Sequence, residues 1–448
     1  MSGSRIAIFG GGYAGLVTGA CFAELGHTVT IRDIVPAKIA ALRAGEVPIY
    51  EPGLDELLAR SAARLRFTLD AAEAVEGAEF VFVCVDTPPT YSGDADLSRV
   101  WTVIDELPRD AGRMILVMKS TVPVGTGEKV RAALDARGLE HVGYVSNPEF
   151  LAEGTAVRDF LEPDRIVVGA FEEPDGDAVE RLHAGLDGPV VRADVASAEM
   201  IKLASNAFLT LRVSFINEIA NVCELVGADV VRVAEGIGLD QRLGPHFLRA
   251  GVGWGGSCFG KDASSLKQLA GNSGYHFQLL AAMIEVNELQ KRKVISKLQK
   301  HLGALRGTTI ALLGLAFKPG TDDMRDAPSL VIASRLLAEG AEVRTWDRVA
   351  DARDRLVGAT QCETIADAVL GADAAVIVTE WDELRGLASP ETHAAMRRPL
   401  IIDGRNILDP DEVRAAGFAY EGIGRATSAL EMLPETEERD LPEPAIED

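Results

Sequence analysis

The sequence predicts an α/β protein in which two doubly wound, Rossmann-like domains are joined by a long central helix. Three observations support this fold class. A buried strand at Arg5–Phe9 is followed by closely spaced glycines, a helical pattern and a second strand. Residues 197–226 carry the longest amphipathic helical pattern, and a second series of buried strands begins at Thr308. The length of 448 residues is enough for two or three domains with their own cores.

These patterns divide the chain into four segments. Residues 1–196 are predicted to form the first Rossmann domain, and residues 302–430 the second. Residues 197–301 are predicted to form a helical linker and dimerisation domain, which carries a glycine-rich loop with a cysteine. Residues 431–448 contain eight acidic residues and three prolines, so we expect a disordered tail.

The composition disfavours several classes of function. With 45 basic and 68 acidic residues the formal net charge is −23, which argues against binding to nucleic acid or to an anionic membrane surface. No apolar run approaches the roughly 20 residues needed to span a bilayer, and the first residues lack a signal-peptide pattern. The five cysteines include no CxxC pair. We therefore expect neither a disulfide framework nor a metal site, and we expect a cytoplasmic protein.

The first strand, the glycine turn and the second strand form a dinucleotide-binding unit. The glycines bring backbone N–H groups and the positive end of a helix to a pyrophosphate. Asp33, which ends the second strand, suits ribose hydroxyls and repels a 2′-phosphate, so the predicted cofactor is NAD rather than NADP. An ordinary glycine-rich turn is the alternative, and the complete strand–turn–helix–strand order disfavours it. The turn residues expected to contact NAD are Gly10, Gly12, Tyr13, Ala14 and Gly15.

Further strands of this domain are predicted at residues 80–85, 114–118 and 141–145. Each is followed by polar residues, among them Thr87, Thr121 and Glu149. Open α/β sheets bind ligands at the carboxyl ends of their strands. Turn formation alone explains any one of these loops, but three loops at one sheet edge favour a functional role.

The central helix carries two polar residues on one face. Lys202 and Asn206 are four residues apart, so their side chains lie one turn above the other. A solvated polar face is the simpler explanation for such a pair. Against it, asparagine is unfavourable inside a helix and this helix requires burial, which suggests a cleft that both residues face.

The glycine-rich loop at residues 251–262 contains a candidate nucleophile, Cys258. Cysteines are usually packing residues, but the surrounding glycines allow a ligand to approach the backbone closely. The neighbouring Lys261 is expected to favour the reactive thiolate. A helix is predicted after the loop, at residues 275–301. Packing explains the remaining cysteines, Cys21, Cys84, Cys223 and Cys362.

The second half of the chain repeats the α/β pattern. This half lacks a complete GxGxxG motif, so it need not bind a dinucleotide. Its strand ends carry Lys318, Arg325 and Arg405, whose charges suit phosphate groups. An ordinary surface ion pair is the alternative for each of them. Strands are predicted at residues 308–314, 342–347, 374–378 and 399–403, with a helix at 329–337.

Several long motifs occur in one order between residues 4 and 425: residues 10–15, 120–126, 147–154, 202–206, 215–218, 255–262, 321–325 and 403–405. With these motifs the chain resembles the nucleotide-sugar 6-dehydrogenases of the UDP-glucose/GDP-mannose dehydrogenase family. The resemblance implies a four-electron oxidation of a sugar primary alcohol to a carboxylate with two NAD, and UDP-glucose is the implied substrate. Bacterial members commonly have proline where this chain has Gly260, which concerns the rigidity of the loop and removes no reacting group.

The resemblance also implies catalytic roles. Cys258 attacks the aldehyde formed in the first oxidation, and Lys202 and Asn206 stabilise the resulting oxyanion. Asp262 and Thr121 hold the water that takes the hydroxyl proton in the first oxidation.

By the same resemblance, a second oxidation gives a thioester on Cys258, which water hydrolyses. Whether Glu149 or Asp262 activates this water stays open.

Arg242 matches a residue that reaches the site of a neighbouring subunit, which implies at least a homodimer along the central helix. The implied cofactor contacts outside the glycine turn are Asp33, Lys38, Thr87, Thr121, Glu153, Lys261 and Arg325. The implied substrate contacts are Glu149, Phe150, Leu151, Glu153, Lys202, Asn206, Phe247, Leu248, Arg249, Gly255, Phe259, Lys318 and Arg405.

Three alternatives compete with oxidation of UDP-glucose. The same chemistry on GDP-mannose or a UDP-N-acetylhexosamine is disfavoured by residues 147–165, which resemble the UDP-glucose enzymes. A two-electron β-hydroxyacid dehydrogenase of similar architecture would not need the thiol. A non-catalytic nucleotide-sugar or NAD-binding protein would require the loss of a reacting group, and none of the implied catalytic residues is missing.

Overall fold

The computed structural model describes residues 3–109 and 112–425, which fold into two α/β units with a helical segment between them. Eight strands, β1 to β8, build the first unit: Arg5–Phe9, Thr28–Arg32, Leu65–Thr68, Phe80–Val83, Ile115–Met118, Gly143–Ser146, Ile166–Ala170 and Val190–Ala193. Their order across the sheet is β3-β2-β1-β4-β5-β6-β7-β8. The first six are parallel, whereas β7 pairs antiparallel with β6. Such a doubly wound sheet binds ligands where the strand order reverses, here between β1 and β4.

The central strands of the first sheet, β1, β4 and β5, are apolar on both faces because helices cover both. On β1, Ile6 and Ile8 join one core, while Ala7 and Phe9 join the core on the opposite face. This alternation follows from the two-residue repeat of a strand. The helices of this unit, α1 to α8, are Tyr13–Glu24, Pro36–Arg43, Leu54–Arg60, Ala71–Val75, Ser98–Glu106, Thr126–Ala136, Ala156–Leu161 and Glu173–Leu182, with a short 3₁₀ helix at Ala62–Arg64.

One helix, α9 at Val195–Val226, spans 32 residues and connects the two units. The Asp194 side chain caps its start by accepting a hydrogen bond from the Ser197 N–H, and Gly227 ends it in the left-handed conformation. Lys202 and Asn206 are buried, so the alternative of a solvated polar face is wrong. The helix turns its polar face into the protein.

Four further helices, α10 to α13, complete the helical segment: Val230–Gly238, Phe259–Asn272, Gln278–Gln290 and Lys293–Leu302. The prediction of one helix over residues 275–301 is wrong, since α12 ends at Gln290 and α13 begins at Lys293. The helix α11, which starts directly after Cys258, was not apparent in the sequence because the glycine-rich composition around the cysteine predicts a loop.

The second unit repeats the strand order of the first. Its strands, β9 to β14, are Thr309–Leu313, Glu342–Trp346, Thr360–Gln361, Ala374–Ile377, Leu400–Asp403 and Ala419–Gly422. They form a parallel sheet in the order β11-β10-β9-β12-β13-β14. The helices α14 to α17 are Pro328–Ala338, Ile365–Val369, Pro390–Ala395 and Pro410–Ala415, with a 3₁₀ helix at Asp382–Gly386. The predicted fold of two Rossmann-like units joined by a long helix is confirmed.

A buried ion-pair network attaches the second unit to the central helix. Lys297 of α13 contacts Glu224 of α9 at 2.6 Å and Glu421 of β14 at 3.0 Å. Within residues 3–109 and 112–425, no helix is long and apolar enough to cross a membrane. The predicted disordered tail at residues 431–448 lies outside the described residues.

A second buried acid attaches α9 to the first unit. The Glu199 carboxylate accepts hydrogen bonds from the backbone N–H groups of Gly125 and Gly127, each at 2.7 Å, at the start of α6. A helix start leaves such N–H groups without intrahelical partners. Glu199 therefore supplies from α9 the acceptor that α6 lacks in its own sequence.

We predict that Glu199→Ala lowers the free energy of unfolding by about 1–3 kcal/mol, because two N–H groups lose their acceptor in a buried place. Urea denaturation followed by circular dichroism measures this loss. The control is Glu235→Ala on α10, whose exposed side chain pairs only with Arg232 in the described chain and should change stability by less than about 0.5 kcal/mol. Equal losses in the two variants would contradict a capping role for Glu199.

Candidate active site

A cleft of about 890 Å³ lies between the two units, where the central helix meets the cysteine loop. Most of its lining comes from four parts of the chain: the connection from β6 to β7, α9, the cysteine loop and the loop after β9, and Lys119, His183, His246 and Phe247 also contribute. Among the predicted site residues, those that line the cleft are Glu149, Phe150, Leu151, Glu153, Lys202, Asn206, Phe247, Gly255, Cys258, Phe259 and Lys318.

The cysteine loop packs tightly on the second unit, which explains two of its glycines. A Cβ at Gly255 would lie 2.4 Å from the carbonyl oxygen of Asp326, and one at Gly256 would lie 3.0 Å from the Phe317 ring. Gly260 lies in the first turn of α11, where proline is also tolerated. A Cβ at Gly260 would lie 3.1 Å from the carboxylate of Asp326, so glycine leaves room for that side chain.

Cys258 immediately precedes α11 and is half-buried. Burial raises the pKa of its thiol, and the carboxylates of Asp262 and Glu149 raise the pKa further. Lys202 and Lys261 act in the opposite direction without reversing the shift. Lys261 thus favours the thiolate as expected, but burial and the two carboxylates outweigh it in the free enzyme. Lys261 is paired with Asp262 at 2.5 Å, whose opposite charge acts on the same sulfur.

The Glu149–Lys202 pair lies in the cleft beside Cys258. Lys202 Nζ is 2.9 Å from Glu149 Oε1, and the Leu151 N–H donates to Glu149 Oε2 at 2.6 Å. Burial alone raises the pKa of Glu149, but Lys202, the Leu151 N–H and Lys119 hold it below its usual range. Burial alone lowers the pKa of Lys202, but Glu149, Cys258 and Asp262 raise it above its usual range. The pair is therefore an ammonium and a carboxylate, both buried.

Asp262 holds the second polar residue of the helix. Its carboxylate accepts a hydrogen bond from Asn206 Nδ2 at 2.6 Å, and the side chain is completely buried. Its backbone N–H donates to the Cys258 carbonyl at 2.8 Å in the first turn of α11. Lys202 and Asn206 thus bring an ammonium and an amide from successive turns of α9 to the neighbourhood of the thiol.

The glycine turn after β1 fits a dinucleotide. Gly10 has φ of +107°, and a Cβ there would lie 2.5 Å from the Cys84 carbonyl oxygen, while a Cβ at Gly15 would lie 1.8 Å from the Gly10 carbonyl oxygen. These two glycines are needed by the turn itself. A Cβ at Gly12 would meet nothing within 4 Å, and no side chain caps the start of α1. The turn therefore presents an open, electropositive helix start that suits a pyrophosphate.

Asp33 at the end of β2 completes this unit. Its carboxylate accepts hydrogen bonds from the Gly11 N–H at 2.8 Å, the Val35 N–H at 2.9 Å and Lys38 Nζ at 3.0 Å. Burial alone raises the pKa of Asp33, but these three donors together hold it below its usual range. The carboxylate is thus charged and fixed at the place where a ribose is bound in this fold.

Glu153 links the first unit, the cysteine loop and the second unit. Its carboxylate accepts from Thr321 Oγ1 at 2.9 Å and lies 3.4 Å from Ser257 Oγ and 3.5 Å from Arg325. Burial, followed by the nearby Asp323, raises the pKa of Glu153 to about 7. The contacts that join the two units at the cleft therefore include an acid whose pKa is raised to about 7.

Several predicted site residues lie outside the lining of the cleft. Arg242 is exposed and pairs with Asp240, and Leu248 packs in the core beside Ile216. Thr121 accepts a hydrogen bond from the Thr87 hydroxyl at its own carbonyl, at 2.8 Å, near the ends of β4 and β5. The other predicted catalytic and substrate-binding residues outside the lining are Arg249, Asp262 and Arg405, and the other predicted cofactor contacts outside it are the glycine-turn residues, Asp33, Lys38, Thr87, Lys261 and Arg325.

Arg405 supports the cysteine loop from outside the lining of the cleft. Its guanidinium donates to the carbonyl oxygens of Val378, Gly253 and Phe317, at 2.6, 3.1 and 3.3 Å. The contact with Gly253 ties the cysteine loop to the end of β13. In the described structure this side chain supports the loop through hydrogen bonds to three carbonyl groups.

Two buried polar groups near the cofactor turn and the cleft were missed by sequence reasoning. Glu51 accepts hydrogen bonds from the N–H groups of Gly154 and Ala156 and from the Tyr13 hydroxyl, so it joins the glycine turn to the loop of Glu153. Lys119, which directly follows β5, is buried and also lines the cleft. Both are charged residues within loops, where burial leaves no periodic pattern in the sequence.

Comparison with known proteins agrees with this geometry. Models of the UDP-glucose/GDP-mannose dehydrogenase family match in order: the NAD binding domain over residues 4–187, the central domain over 196–289 and the UDP binding domain over 311–410. The chain belongs to this family. The family assignment made from the motifs is thus confirmed, and the chain is a dehydrogenase with an NAD-binding domain.

Individual members of the family match over nearly the whole chain. The UDP-glucose 6-dehydrogenase TuaD of Bacillus subtilis is 43% identical over 429 residues, 94% of this chain and 93% of that one. The UDP-glucose 6-dehydrogenase of Pseudomonas aeruginosa is 45% identical over 441 residues, 94% of this chain and 97% of that one. The solved UDP-glucose dehydrogenase of Pyrobaculum islandicum has a TM-score of 0.88 at 37% identity, covering 95% of this chain and 98% of that one.

The surroundings of Cys258 predict how its reactivity depends on Asp262. Because Asp262 raises the pKa of the thiol, Asp262→Asn should lower that pKa and increase the thiolate fraction at a given pH. We expect iodoacetamide to alkylate Cys258 at least about threefold faster at pH 8 in the variant. Mass spectrometry of the modified peptide measures the rate, in a Cys362→Ser background that removes the other half-buried cysteine. An unchanged or slower rate would contradict this account of the thiol.

Proposed function

We propose that this protein oxidises UDP-glucose to UDP-glucuronate in two successive NAD-dependent steps, through a covalent adduct on Cys258. The observation that carries the proposal is the half-buried Cys258 in one cleft with the Glu149–Lys202 ion pair. It is supported by relatives named UDP-glucose 6-dehydrogenase at 43% and 45% identity. The division into residues 1–196, 197–301 and 302–430 as cofactor, central and UDP-sugar domains is part of the proposal.

In the first oxidation the chain orients the sugar and removes a proton. Bound NAD supplies a hydride acceptor in each oxidation. The Lys202 ammonium, fixed by Glu149, donates a hydrogen bond to the oxygen at C6 of the sugar. Asp262 takes the hydroxyl proton through a bridging water, and the same side chain keeps the Asn206 amide in place. Thr121 is not among the residues that line the cleft, so we keep it as a cofactor contact only.

In the second oxidation Cys258 becomes covalently bound. Its thiol loses its proton to solvent as the sulfur adds to the aldehyde carbon, and the oxyanion of the thiohemiacetal is stabilised by the Lys202 ammonium and the Asn206 amide. Loss of a hydride gives a thioester. Water then attacks the acyl carbon, the C–S bond breaks and the thiol regains its proton. We assign the orientation of this water to Glu149, because the attacking water must lie in the cleft itself, which Glu149 lines, whereas the fully buried Asp262 reaches the cleft only through a water.

The first unit would hold NAD across the carboxyl ends of β1 and β4. The open helix start at Gly12 takes the pyrophosphate and Asp33 takes the adenosine ribose. Thr87 and Thr121 at the next strand ends, with Glu153 and Arg325 across the cleft, would contact the nicotinamide half. A reduced thiol is required throughout, which favours the cytoplasm.

A homodimer along the central helix completes the proposal. An apolar groove of about 700 Å³ runs between α9, α11 and α12, and Phe208, Phe215 and Leu279 expose 59%, 51% and 62% of their surface. Exposed apolar patches of this kind mark interfaces between proteins. A second copy would cover them and bring the exposed Arg242 to the neighbouring cleft.

The stoichiometry of NADH tests the proposed function. We expect two NADH per UDP-glucose from the wild-type protein, and at most one from Cys258→Ser, which would stop before release of the acid. Absorbance at the NADH band with limiting UDP-glucose measures both numbers. One NADH with accumulating aldehyde in the wild type would exclude the four-electron mechanism. UDP-sugar binding without any NADH would instead favour a non-catalytic binding protein.

The Asp33–Lys38 contact predicts a change of cofactor preference. In Asp33→Ala the repulsion of a 2′-phosphate disappears and Lys38, now 3.0 Å from Asp33, is free to pair with that phosphate. We expect the ratio of kcat/KM for NADP to that for NAD to rise by at least about tenfold. The double variant Asp33→Ala/Lys38→Met is the control and should lose most of the gain. A ratio unchanged from wild type would show that Asp33 does not select the cofactor.

A further inference from the structure

A buried lysine that the proposed mechanism does not use lies beneath the cleft. Lys119 follows β5, is 5% exposed and lines the cleft. Its Nζ donates to Asn147 Oδ1 at 2.9 Å, and the Phe160 ring centroid lies 5.8 Å away. Within the described residues no carboxylate forms an ion pair with it. A buried ammonium whose hydrogen-bond acceptor is a neutral amide is costly to keep in a fold.

The contacts of Lys119 fix the start of the loop that carries Glu149. Asn147, two residues before Glu149, accepts from Lys119 and donates through Nδ2 to the Val167 carbonyl oxygen at 2.8 Å. This bridge spans the adjacent ends of β5, β6 and β7. Because β7 runs antiparallel to β6, the strand starting at Ile166 returns to the place where Glu149 leaves the sheet.

The charge of Lys119 acts on the same group. It stabilises the Glu149 carboxylate in addition to the Lys202 contact, and burial lowers the pKa of Lys119 to about 8. The other titratable groups that face Lys119 are Cys84, Cys21, His183 and Lys202. Those that face Glu149 are Lys202, Cys258, Cys84 and Arg165.

We propose that Lys119 is a positioning residue of the reaction, which holds the Glu149 loop through Asn147 and supplies a second positive charge to the Glu149–Lys202 pair. This role rests on the proposed function. With Lys119 in place, Glu149 stays a carboxylate while the adjacent thiol and oxyanion change their charge. Lys202 stabilises the oxyanion on the sugar. Its ammonium can do so because Lys119 also offsets the negative charge of Glu149.

The test compares Lys119→Met with wild type in NADH yield, kcat and the KM for UDP-glucose between pH 4 and 7.5, a range that includes the acidic limb expected from Glu149 and lies below the pKa of Lys119. We expect two NADH per UDP-glucose in both, a KM within about threefold, and kcat at pH 7 lowered at least about fivefold. The acidic limb of the kcat profile should move to higher pH by about one unit, because the loss of a neighbouring cation raises the pKa of Glu149. Lys119→Arg keeps the charge and should keep the wild-type profile. Lys291→Met, at a buried lysine outside the cleft, is the control for the loss of a buried lysine.

Several outcomes would overturn the role of Lys119. These are a Lys119→Met profile that superimposes on the wild-type profile, a loss that is equal at every pH, or a KM raised more than tenfold with kcat unchanged. Lys119→Gln serves the same comparison if Lys119→Met does not fold, and unfolded protein from both would show a purely structural residue. One NADH per sugar in the wild type would instead overturn the proposed function, and this role with it.

Discussion

Two buried contacts made by successive turns of one helix hold the candidate site together. Lys202 pairs with Glu149 from the first sheet, and Asn206 binds Asp262 from the helix after Cys258. A buried carboxylate without a partner is strongly destabilising, so neither contact can open cheaply. The central helix therefore fixes two otherwise independent parts of the chain, the sheet edge and the cysteine loop, relative to its own polar face. The loop after β9 then closes the cleft through Glu153 and Thr321.

The electrostatics of this arrangement suit a thiol that reacts only when a substrate is present. Burial and two carboxylates keep Cys258 protonated in the free chain, which protects it from adventitious oxidation. The ammonium and amide beside it are already fixed by their own partners, so they need little reorganisation when an oxyanion forms. Preorganised donors and a quiescent nucleophile are consistent with the proposed order of events, in which the thiol acts only after an aldehyde has been made.

Much of this was predictable from the sequence, and the failures have physical causes. The strands at Arg5–Phe9 and Phe80–Val83 are continuous apolar runs, and Lys202 and Asn206 share a helical face, so local patterns were sufficient. The edge strands β3, β8 and β11 were missed because partly exposed edges leave weak patterns, and β7 and β14 were missed as well. The charge state of Cys258 depends on Asp262 and Glu149, of which Glu149 is far away in the sequence. Lys119 was overlooked because only the bridge through Asn147 to Val167 gives it a role.

Identification of the covalent intermediate tests the central claim, that Cys258 holds the sugar between the two oxidations, most directly. Wild-type enzyme would be mixed with UDP-glucose and NAD, quenched in acid within one turnover and digested for mass spectrometry. The account predicts a peptide containing Cys258 that carries one UDP-glucuronyl group, which is absent when either reactant is omitted. A sugar adduct on a different residue would contradict it. So would an unmodified Cys258 peptide at a time when more than one NADH per subunit has formed and no acid has been released.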